Sequence, residues 1–262
     1  MLQKKKMRET KHKAWKREPM AKKLKGFAWI QPALSIIVMP MGFVLWGLAA
    51  VPGIYLFWEV SDATAGWVEW QQLLALGASL GIGAMLWCIA DLLMLGILGM
   101  LMRPSLEEAK APVESWLSIR WGFLALFHRL ALPSLQWMVP SFVANIYYGM
   151  MGCKIGKGAQ INSPRVNDCF MVEIGAGTII GGDAVINGHL FERDGIHLAK
   201  VKIGSKVVIG TMAQINPGCV IGDGAVVASK AVLPKFTEVP PGEVWGGIPA
   251  KCIRKADGSK PE

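Results

Sequence analysis

Charge is scarce over most of this chain, because the basic residues are concentrated at one end. Residues 1–25 hold nine Lys and two Arg against two Glu, which accounts for the whole formal net charge of +9. The basic pI near 9.4 therefore arises from this tail rather than from a folded domain. No nucleic-acid partner is expected, because this tail has no aromatic residue beyond Trp15 and stands directly before a long apolar run.

Paired cysteines are also missing. The five cysteines show no C-x-x-C spacing and no even framework, which predicts neither disulfides nor a metal site. Reduced thiols facing the cytosol are the simplest interpretation. Histidine is equally sparse, at four residues in the whole chain.

Two long segments have almost no charged side chains. Residues 26–58 contain none, and residues 71–102 contain only Asp91. Each run exceeds the roughly 20 residues that a helix needs to cross the hydrocarbon core of a bilayer. Residues 26–102 are therefore predicted to form two transmembrane helices, the first kinked or broken by its prolines Pro32, Pro40 and Pro52.

The charge pattern also predicts an orientation. The loop between the spans carries Glu59, Asp62 and Glu69 with no Lys or Arg, whereas the preceding tail is basic. By the positive-inside rule, both chain ends lie in the cytosol of a multi-pass cell-membrane protein that contacts membrane lipid. Asp91 is either a pore, relay or substrate contact or a helix-packing residue, and packing is favoured.

Residues 103–150 are interpreted as a linker with interfacial helices. The apolar stretch at 113–148 contains scattered cations and no clean helical stripe. It predicts two short helices that separate near Pro133 and lie at the cytosolic interface with their aromatic rings in lipid. His128, beside Arg129, is interpreted as an interfacial residue that extends toward water.

From residue 151 onward the sequence repeats every six positions. An aliphatic residue marks each unit, and two further columns keep the same period, one of Gly or Asn and one of small side chains. Such a unit predicts one short strand plus a turn, with three units forming one triangular coil whose axis the aliphatic residues fill. Cys219 lies in the small-residue column, so it is expected to pack rather than react. The aliphatic column is Ile155, Ile161, Ile174, Ile180, Ile186, Ile203, Ile209, Ile215, Ile221, Val227, Leu233 and Val239.

This pattern resembles the hexapeptide-repeat, left-handed β-helix acyltransferases. "VWGGIPAKCIRK" near the C-terminus is similar to the segment that closes the coils of that family. The resemblance implies a left-handed parallel β-helix at 151–255, followed by a tail at 256–262. Together with the transmembrane helix pair and the interfacial helices predicted above, this gives the fold class of an α + β membrane protein. The resemblance also implies a homotrimer with active sites between subunits.

A second resemblance covers more of the chain. "SIRW", "MGCKIGKGAQI" and "NGHLFERDGIHLAKVKIG" are similar to the terminal modules of ε-poly-lysine-type nonribosomal peptide synthetases. Those enzymes also carry adenylation and carrier regions, which this sequence does not contain. An aminoacyl donor would therefore have to come from a separate carrier protein.

The repeat is interrupted between Ile186 and Ile203, which are seventeen positions apart. The coil is expected to loop out or distort there, and His189 stands at the start of the interruption. The resemblance places the family's catalytic histidine at His189. Histidine suits a general base in acyl transfer because its ordinary pKa of about 6.5 lies near neutral pH. Glu192 is the second candidate catalytic residue, and Glu192, Asp194 and Asp183 are candidates to orient the imidazole; His197 is expected only to support the loop.

The donor would be acetyl-CoA or another acyl thioester, used as a co-substrate rather than bound permanently. "ASKAVLPKF" and "GIPAK" resemble the family's region of contact with coenzyme A. The cations available there for its phosphates are Lys230, Lys235, Lys251 and Arg254.

The expected function is transfer of an acyl group, most simply acetyl, to a hydroxyl or amine of an envelope-related acceptor. Three alternatives compete with it. Aminoacyl transfer from a carrier-protein thioester uses the same site. A non-catalytic scaffold or transporter partner would rely on Asp91 instead of His189. A γ-class carbonic anhydrase requires three zinc-binding histidines, and the repeat region contains only His189 and His197.

Overall fold

Two long helices form the N-terminal part of the protein. The structure, a computed structural model, describes residues 22–103 and 108–261. Helices α1 (Phe27–Ala63) and α2 (Glu69–Met102) pack against each other. Helix α1 runs unbroken through all three of its prolines. The two backbones meet at Gly53 and Gly83, where a Cβ on Gly53 would lie 2.7 Å from the Gly83 carbonyl oxygen, so the contact depends on residues without side chains.

Both helices are long and apolar enough to cross a membrane by length and composition. Their large apolar side chains are mostly exposed, as Ile36 and Phe43 on α1 and Leu74 on α2 illustrate. The N-terminal tail expected at residues 1–25 lies mainly outside the described residues. Its last part contacts the linker, since the Lys23 ammonium lies 3.4 Å from Glu114 Oε2.

Asp91 lies in the core between α2 and the following helices. Its side chain is fully buried, and its Oδ2 accepts a hydrogen bond of 2.5 Å from Ser134 Oγ. This contact joins α2 to the next helix of the chain. The geometry agrees with the favoured interpretation of Asp91 as a helix-packing residue.

The linker forms a short strand and two helices: β1 (Ala109–Ala111), α3 (Trp116–Met138) and α4 (Phe142–Met150). The predicted separation near Pro133 is wrong, because α3 continues through that residue and the helices separate at Val139 and Pro140. Ser115 and Ser141 cap α3 and α4 by accepting hydrogen bonds from backbone N–H groups of the first turn.

The expectation that the aromatic rings of these helices face lipid is only partly correct. Trp137 and Phe142 are exposed, but Tyr147 and Tyr148 are fully buried against the repeat domain. The interpretation of His128 as an interfacial cation is wrong. Its ring is buried, its Nδ1 lies 3.1 Å from the Tyr147 hydroxyl, and burial lowers its pKa to about 4.

The repeats fold into a three-sided parallel β-helix. Its strands form three ladders, which are parallel except that the last strand runs antiparallel to the one before it. The aliphatic column of the sequence stacks along the axis: Ile155 pairs with Ile174, which pairs with Ile203. The direction in which the coil turns stays a prediction. The strands are β2 (Lys154–Ile155), β3 (Gln160–Ile161), β4 (Val172–Ile174), β5 (Ile179–Ile180), β6 (Val185–Ile186), β9 (Val201–Ile203), β10 (Val208–Ile209), β11 (Gln214–Ile215), β12 (Val220–Ile221), β13 (Val226–Val227), β14 (Val232–Leu233), β15 (Glu238–Val239), β16 (Val244–Gly247) and β17 (Ala250–Arg254).

Burial confirms the assignment of the columns. Every axial aliphatic residue except Ile155 is buried, and the small-residue column, including Cys219, is buried as well. One continuous core extends from Leu92 on α2 through the linker helices to Val239 in the last coil. The helical part and the β-helix therefore stabilise each other by burying a shared apolar surface.

The interruption is a β-hairpin that leaves the coil. Strands β7 (His189–Glu192) and β8 (Gly195–Leu198) are antiparallel, and β1 adds to β8 as a third strand. Ile186 pairs with Ile215, 29 positions later, whereas Ile215 pairs with Leu233 after 18 positions. The interruption is therefore one ordinary turn of the β-helix into which eleven residues are inserted, rather than three shortened six-residue units.

Candidate active site

His189 stands at the base of the hairpin, where the chain leaves the coil. Its Nδ1 lies 2.6 Å from Asp168 Oδ2, and 22% of its side chain is exposed. A carboxylate only accepts hydrogen bonds, so in the neutral imidazole Nδ1 carries the hydrogen and Nε2 keeps a lone pair. An imidazole held in this tautomer is prepared to accept a proton at Nε2.

Asp168 is fixed by four donors. Its Oδ2 accepts hydrogen bonds from the backbone N–H groups of Gly188 (2.8 Å) and His189 (3.1 Å) as well as from the imidazole, and its Oδ1 accepts one from Trp121 Nε1 at 2.9 Å. The carboxylate is almost completely buried. Burial alone would raise the pKa of Asp168, but these hydrogen bonds and the adjacent imidazole hold it below its usual range.

Gly188 is required for this arrangement. A Cβ at that position would lie 2.4 Å from Met171 Cβ and 3.0 Å from Asp168 Cβ. Any side chain would therefore push the Gly188 N–H away from the carboxylate. The "NGHL" sequence at the start of the hairpin is explained by this close approach.

Aromatic rings enclose the imidazole on one side. The Trp121 and His189 ring centroids are 4.4 Å apart at 51°, and Phe191 contacts both rings, at 5.3 and 5.9 Å. Trp121 comes from α3, so the helical half of the protein contributes directly to the site. The rings limit the rotation of the imidazole and shield its hydrogen bond to Asp168 from water.

The orienting carboxylate is thus Asp168, and the three sequence candidates for this role are wrong. Glu192 is three residues from His189 on the same strand, which places the two side chains on opposite faces of the hairpin. Asp183 lies 3.7 Å from Arg165 instead. Two features of the sequence mark the residues that contact His189. One extra residue between Ile161 and Ile174 marks the irregular step that holds Asp168, and the "SIRW" segment contains Trp121.

The opposite face of the hairpin carries a cluster of charged residues. Glu192 pairs with Lys235, Asp194 pairs with Lys110, and His197 Nε2 lies 2.6 Å from Asp194 Oδ1. The hydrogen bond from Lys235 lowers the pKa of Glu192, and those from Lys110 and His197 lower the pKa of Asp194 to about 2. His197 is buried here and supports the loop, as expected.

This charged cluster does not favour a cation. Possible ligand atoms of Glu192, Asp194 and His197 lie within 4.8 Å of one another. Two lysine ammonium groups, from Lys110 and Lys235, already neutralise the carboxylates. His197 and His189 stand on opposite faces of the hairpin, so within one chain they cannot share a zinc ion as ligands of a γ-class carbonic anhydrase site.

The four expected donor-binding cations lie on β17 and in the turns before and after β14. Lys235 forms an ion pair with Glu192 beside the hairpin. Lys230 lies at a coil corner with φ of 59°, and Lys251 and Arg254 lie exposed on β17. Contact of these residues with coenzyme A phosphates stays a prediction.

Comparison with known sequences identifies the repeat. Residues 200–235 match the family model "Bacterial transferase hexapeptide (six repeats)". Over 111 residues the chain is 34% identical to YvoF of Bacillus subtilis (strain 168), whose name provisionally describes an acetyltransferase; the match covers 41% of this chain and 63% of YvoF.

Two further relatives belong to other enzyme classes. Delta-poly-L-ornithine synthetase of Acinetobacter baumannii (strain AB307-0294) is 25% identical over 150 residues, covering 57% of this chain and 11% of the synthetase. Gamma carbonic anhydrase 2, mitochondrial, of Arabidopsis thaliana is 35% identical over 82 residues, covering 31% of this chain and 25% of the anhydrase. The chain spans less than two thirds of the length of each of these three relatives. The matches support the hexapeptide-repeat acyltransferase class, and the site geometry separates it from the anhydrases.

Proposed function

We propose that this protein is an acyltransferase that moves an acetyl group from acetyl-CoA to a hydroxyl or amine, with His189 as the general base. The hydrogen bond from His189 Nδ1 to the buried Asp168 carries the proposal. It presents Nε2 as a base in a partly exposed, aromatic-walled site. The hexapeptide-repeat match and the acetyltransferase relative supply the reaction class.

The reaction follows from this geometry. As the acceptor oxygen or nitrogen bonds to the thioester carbonyl carbon, His189 Nε2 takes its proton. The tetrahedral intermediate then expels the thiolate, breaking the carbon–sulfur bond, and the imidazolium returns the proton to sulfur. The Asp168 carboxylate stabilises the transient imidazolium and keeps its orientation.

Membrane anchoring is part of the proposal. The exposed apolar side chains of α1 and α2 must be covered, and a bilayer covers both helices at once. The acidic loop then faces outward, and the basic tail and the β-helix face the cytosol, where acetyl-CoA is available. We also propose a homotrimer, which light scattering of the detergent-solubilised protein would detect as three times the mass of one chain.

The first test is transfer of labelled acetyl from acetyl-CoA to a cell-envelope extract. Wild type should label an acceptor, and His189→Ala should lose at least about 100-fold in rate, because general-base catalysis contributes roughly that much. His197→Ala is the control, since that histidine faces the opposite side of the hairpin. Equal labelling by wild type and His189→Ala would disprove the role of His189.

Aminoacyl transfer is the second candidate function. The match to the poly-ornithine synthetase favours it, because that match extends beyond the repeat to more than half of this chain. The same base would then act on an amine acceptor and a carrier-bound aminoacyl thioester. Transfer from such a carrier, with no transfer from acetyl-CoA, would identify this reaction.

A further inference from the structure

A groove runs between α1 and α3 on the membrane-proximal side of the site. Its volume is about 490 Å³, within the range of small-molecule sites. Apolar side chains form most of its wall, contributed by Phe27, Leu34 and Val38 of α1 and by Ile119, Phe123 and Leu126 of α3. We name it the α1–α3 groove.

The groove leads to the proposed base. Trp121 and Phe191 line it, and the same two rings contact the His189 imidazole at 4.4 and 5.9 Å. Trp121 also donates a hydrogen bond to Asp168. A molecule lying in the groove would therefore end beside the two rings that contact the imidazole.

The lining has little capacity to bind a polar molecule. Ser118 lines it, but its hydroxyl donates to the Pro112 carbonyl oxygen at 3.0 Å. Arg129, the one charged side chain among the described lining residues, is exposed and lies eight residues beyond Trp121, about 12 Å along the helix. A hydrocarbon chain suits such walls, because each buried methylene group adds to the binding energy.

We propose that the α1–α3 groove holds the hydrocarbon chain of the acyl acceptor, a membrane amphiphile whose hydroxyl or amine is presented to His189 Nε2. This inference rests on the proposed transferase function and names its acceptor class. One wall of the groove belongs to α1, the helix with the most exposed apolar surface, so a bilayer molecule can enter from the side. Coenzyme A thioesters are water-soluble and reach the opposite, cytosolic side of the site.

The N-terminal tail of the chain is a poor occupant of this groove. Residues 1–25 contain nine lysines, whose ammonium groups would lose their hydration against apolar walls that offer no carboxylate. A membrane amphiphile carries no such penalty along its chain.

Gly122 offers a direct way to block the groove. It lines the groove, and a Cβ added there meets no other atom within 4 Å. Gly122→Leu therefore fills open space without a clash and favours the helix, since leucine is a better helix former than glycine. Gly149→Leu is the matched control, because Gly149 is also helical, also has open space at its Cβ, and lies outside the groove.

The test uses a hexadecyl glucoside with a photoreactive diazirine at the end of its chain, incorporated with the full-length protein into phosphatidylcholine nanodiscs. In wild type and Gly149→Leu, mass spectrometry should find the label on α1 or α3 residues of the groove. Gly122→Leu should lose at least about 10-fold of this labelling, while labelling of the exposed face of α2 stays constant. No groove label in wild type, or equal label in Gly122→Leu, would overturn the inference.

The donor is tested as the competing occupant with a diazirine-tagged palmitoyl-CoA. Stronger groove labelling by this thioester than by the glucoside would overturn the assignment to the acceptor. The crosslinking needs no turnover, so groove labelling with no transfer from acetyl-CoA would contradict the proposed acetyl transfer while still showing that the groove binds a hydrocarbon chain.

Discussion

At the level of single residues, the site depends on the buried Asp168 carboxylate, a positioning residue that touches His189 rather than substrate. Four hydrogen bonds hold it, and only one comes from the imidazole. The carboxylate would thus remain in place while the imidazole gains and loses a proton. His189 is correspondingly pre-organised before any substrate binds.

Replacing this carboxylate by an amide should impair catalysis without removing the base. In Asp168→Asn, the amide NH₂ can turn toward Nδ1 and shift the hydrogen of the neutral imidazole to Nε2. We expect the turnover number to fall by about 10²- to 10⁴-fold, with a smaller change in KM.

Asp183→Asn is the matched control for that substitution. Asp183 was a sequence candidate for the same role, but it pairs with Arg165, and asparagine tolerates its φ of 54°. Its activity and pH profile should equal those of wild type. A parallel loss in both variants would indicate a general effect of charge rather than positioning of His189.

The same carboxylate should make stability depend on pH in a defined direction. Folding lowers the pKa of Asp168. Its stabilising contribution is therefore complete above the unfolded pKa of about 3.9 and is lost as the pH falls through the folded value. The thermal unfolding temperatures of wild type and Asp168→Asn in detergent should differ by a constant amount above about pH 5. They should converge below about pH 4. A difference that grows on acidification would contradict this.

At the level of elements, the β7–β8 hairpin joins the two halves of the protein. It leaves the β-helix at His189, receives β1 from the linker along β8, and contacts α3 through Trp121. The ring of His189 is thus held between elements from both halves. Disturbing the attachment of β1 should disturb the site without altering a catalytic group.

Gly195 is the residue to change in this element. Its φ is 129°, and a Cβ there would lie 2.0 Å from the Ala111 carbonyl oxygen, so Gly195→Ala should detach β1. We expect a loss of about 1–3 kcal/mol in the free energy of unfolding. Trypsin should also cleave after Lys110, whose side chain is 11% exposed in the native protein.

Gly224→Ala supplies the comparison for this experiment. Gly224 also has a positive φ, 66°, but an added Cβ meets no atom within 4 Å. Its backbone strain should cost about 1 kcal/mol and leave Lys110 protected. Equal cleavage in both variants would mean that strain alone, and not the contact with Ala111, loosens β1.

At the level of the whole molecule, the orientation in the membrane can be tested with thiols. Ala65 lies exposed in the loop between α1 and α2, where it can be replaced by cysteine. The native Cys252 is partly exposed on β17. The other four native cysteines are buried. In intact cells an impermeant maleimide should label Ala65→Cys, and Cys252 should react only after the membrane is opened. Labelling of Cys252 in intact cells would reverse the proposed orientation.

The columns of the repeat could be assigned from the sequence alone. Each aliphatic residue occupies the same axial environment in every coil, so the core positions of a periodic fold recur in the sequence at a fixed spacing. Two segments with at most one charged residue likewise predicted two long helices, because length and composition are sufficient for that prediction. His189 stood out because the interruption of the period was itself visible.

Tertiary structure decided the rest, since it depends on contacts between residues far apart in the chain. Asp168 is 21 positions from His189 and Trp121 is 47 positions from Asp168, and no local pattern links such residues. Glu192, Asp194 and Asp183 were plausible partners of His189 because of their charge. Strand alternation and the pairing of the hairpin, however, direct these carboxylates away from the imidazole. The sequence by itself determined the repeat, its axis and the position of His189, whereas the packing of Asp168 and of α3 against the start of the hairpin determined which carboxylate contacts that histidine.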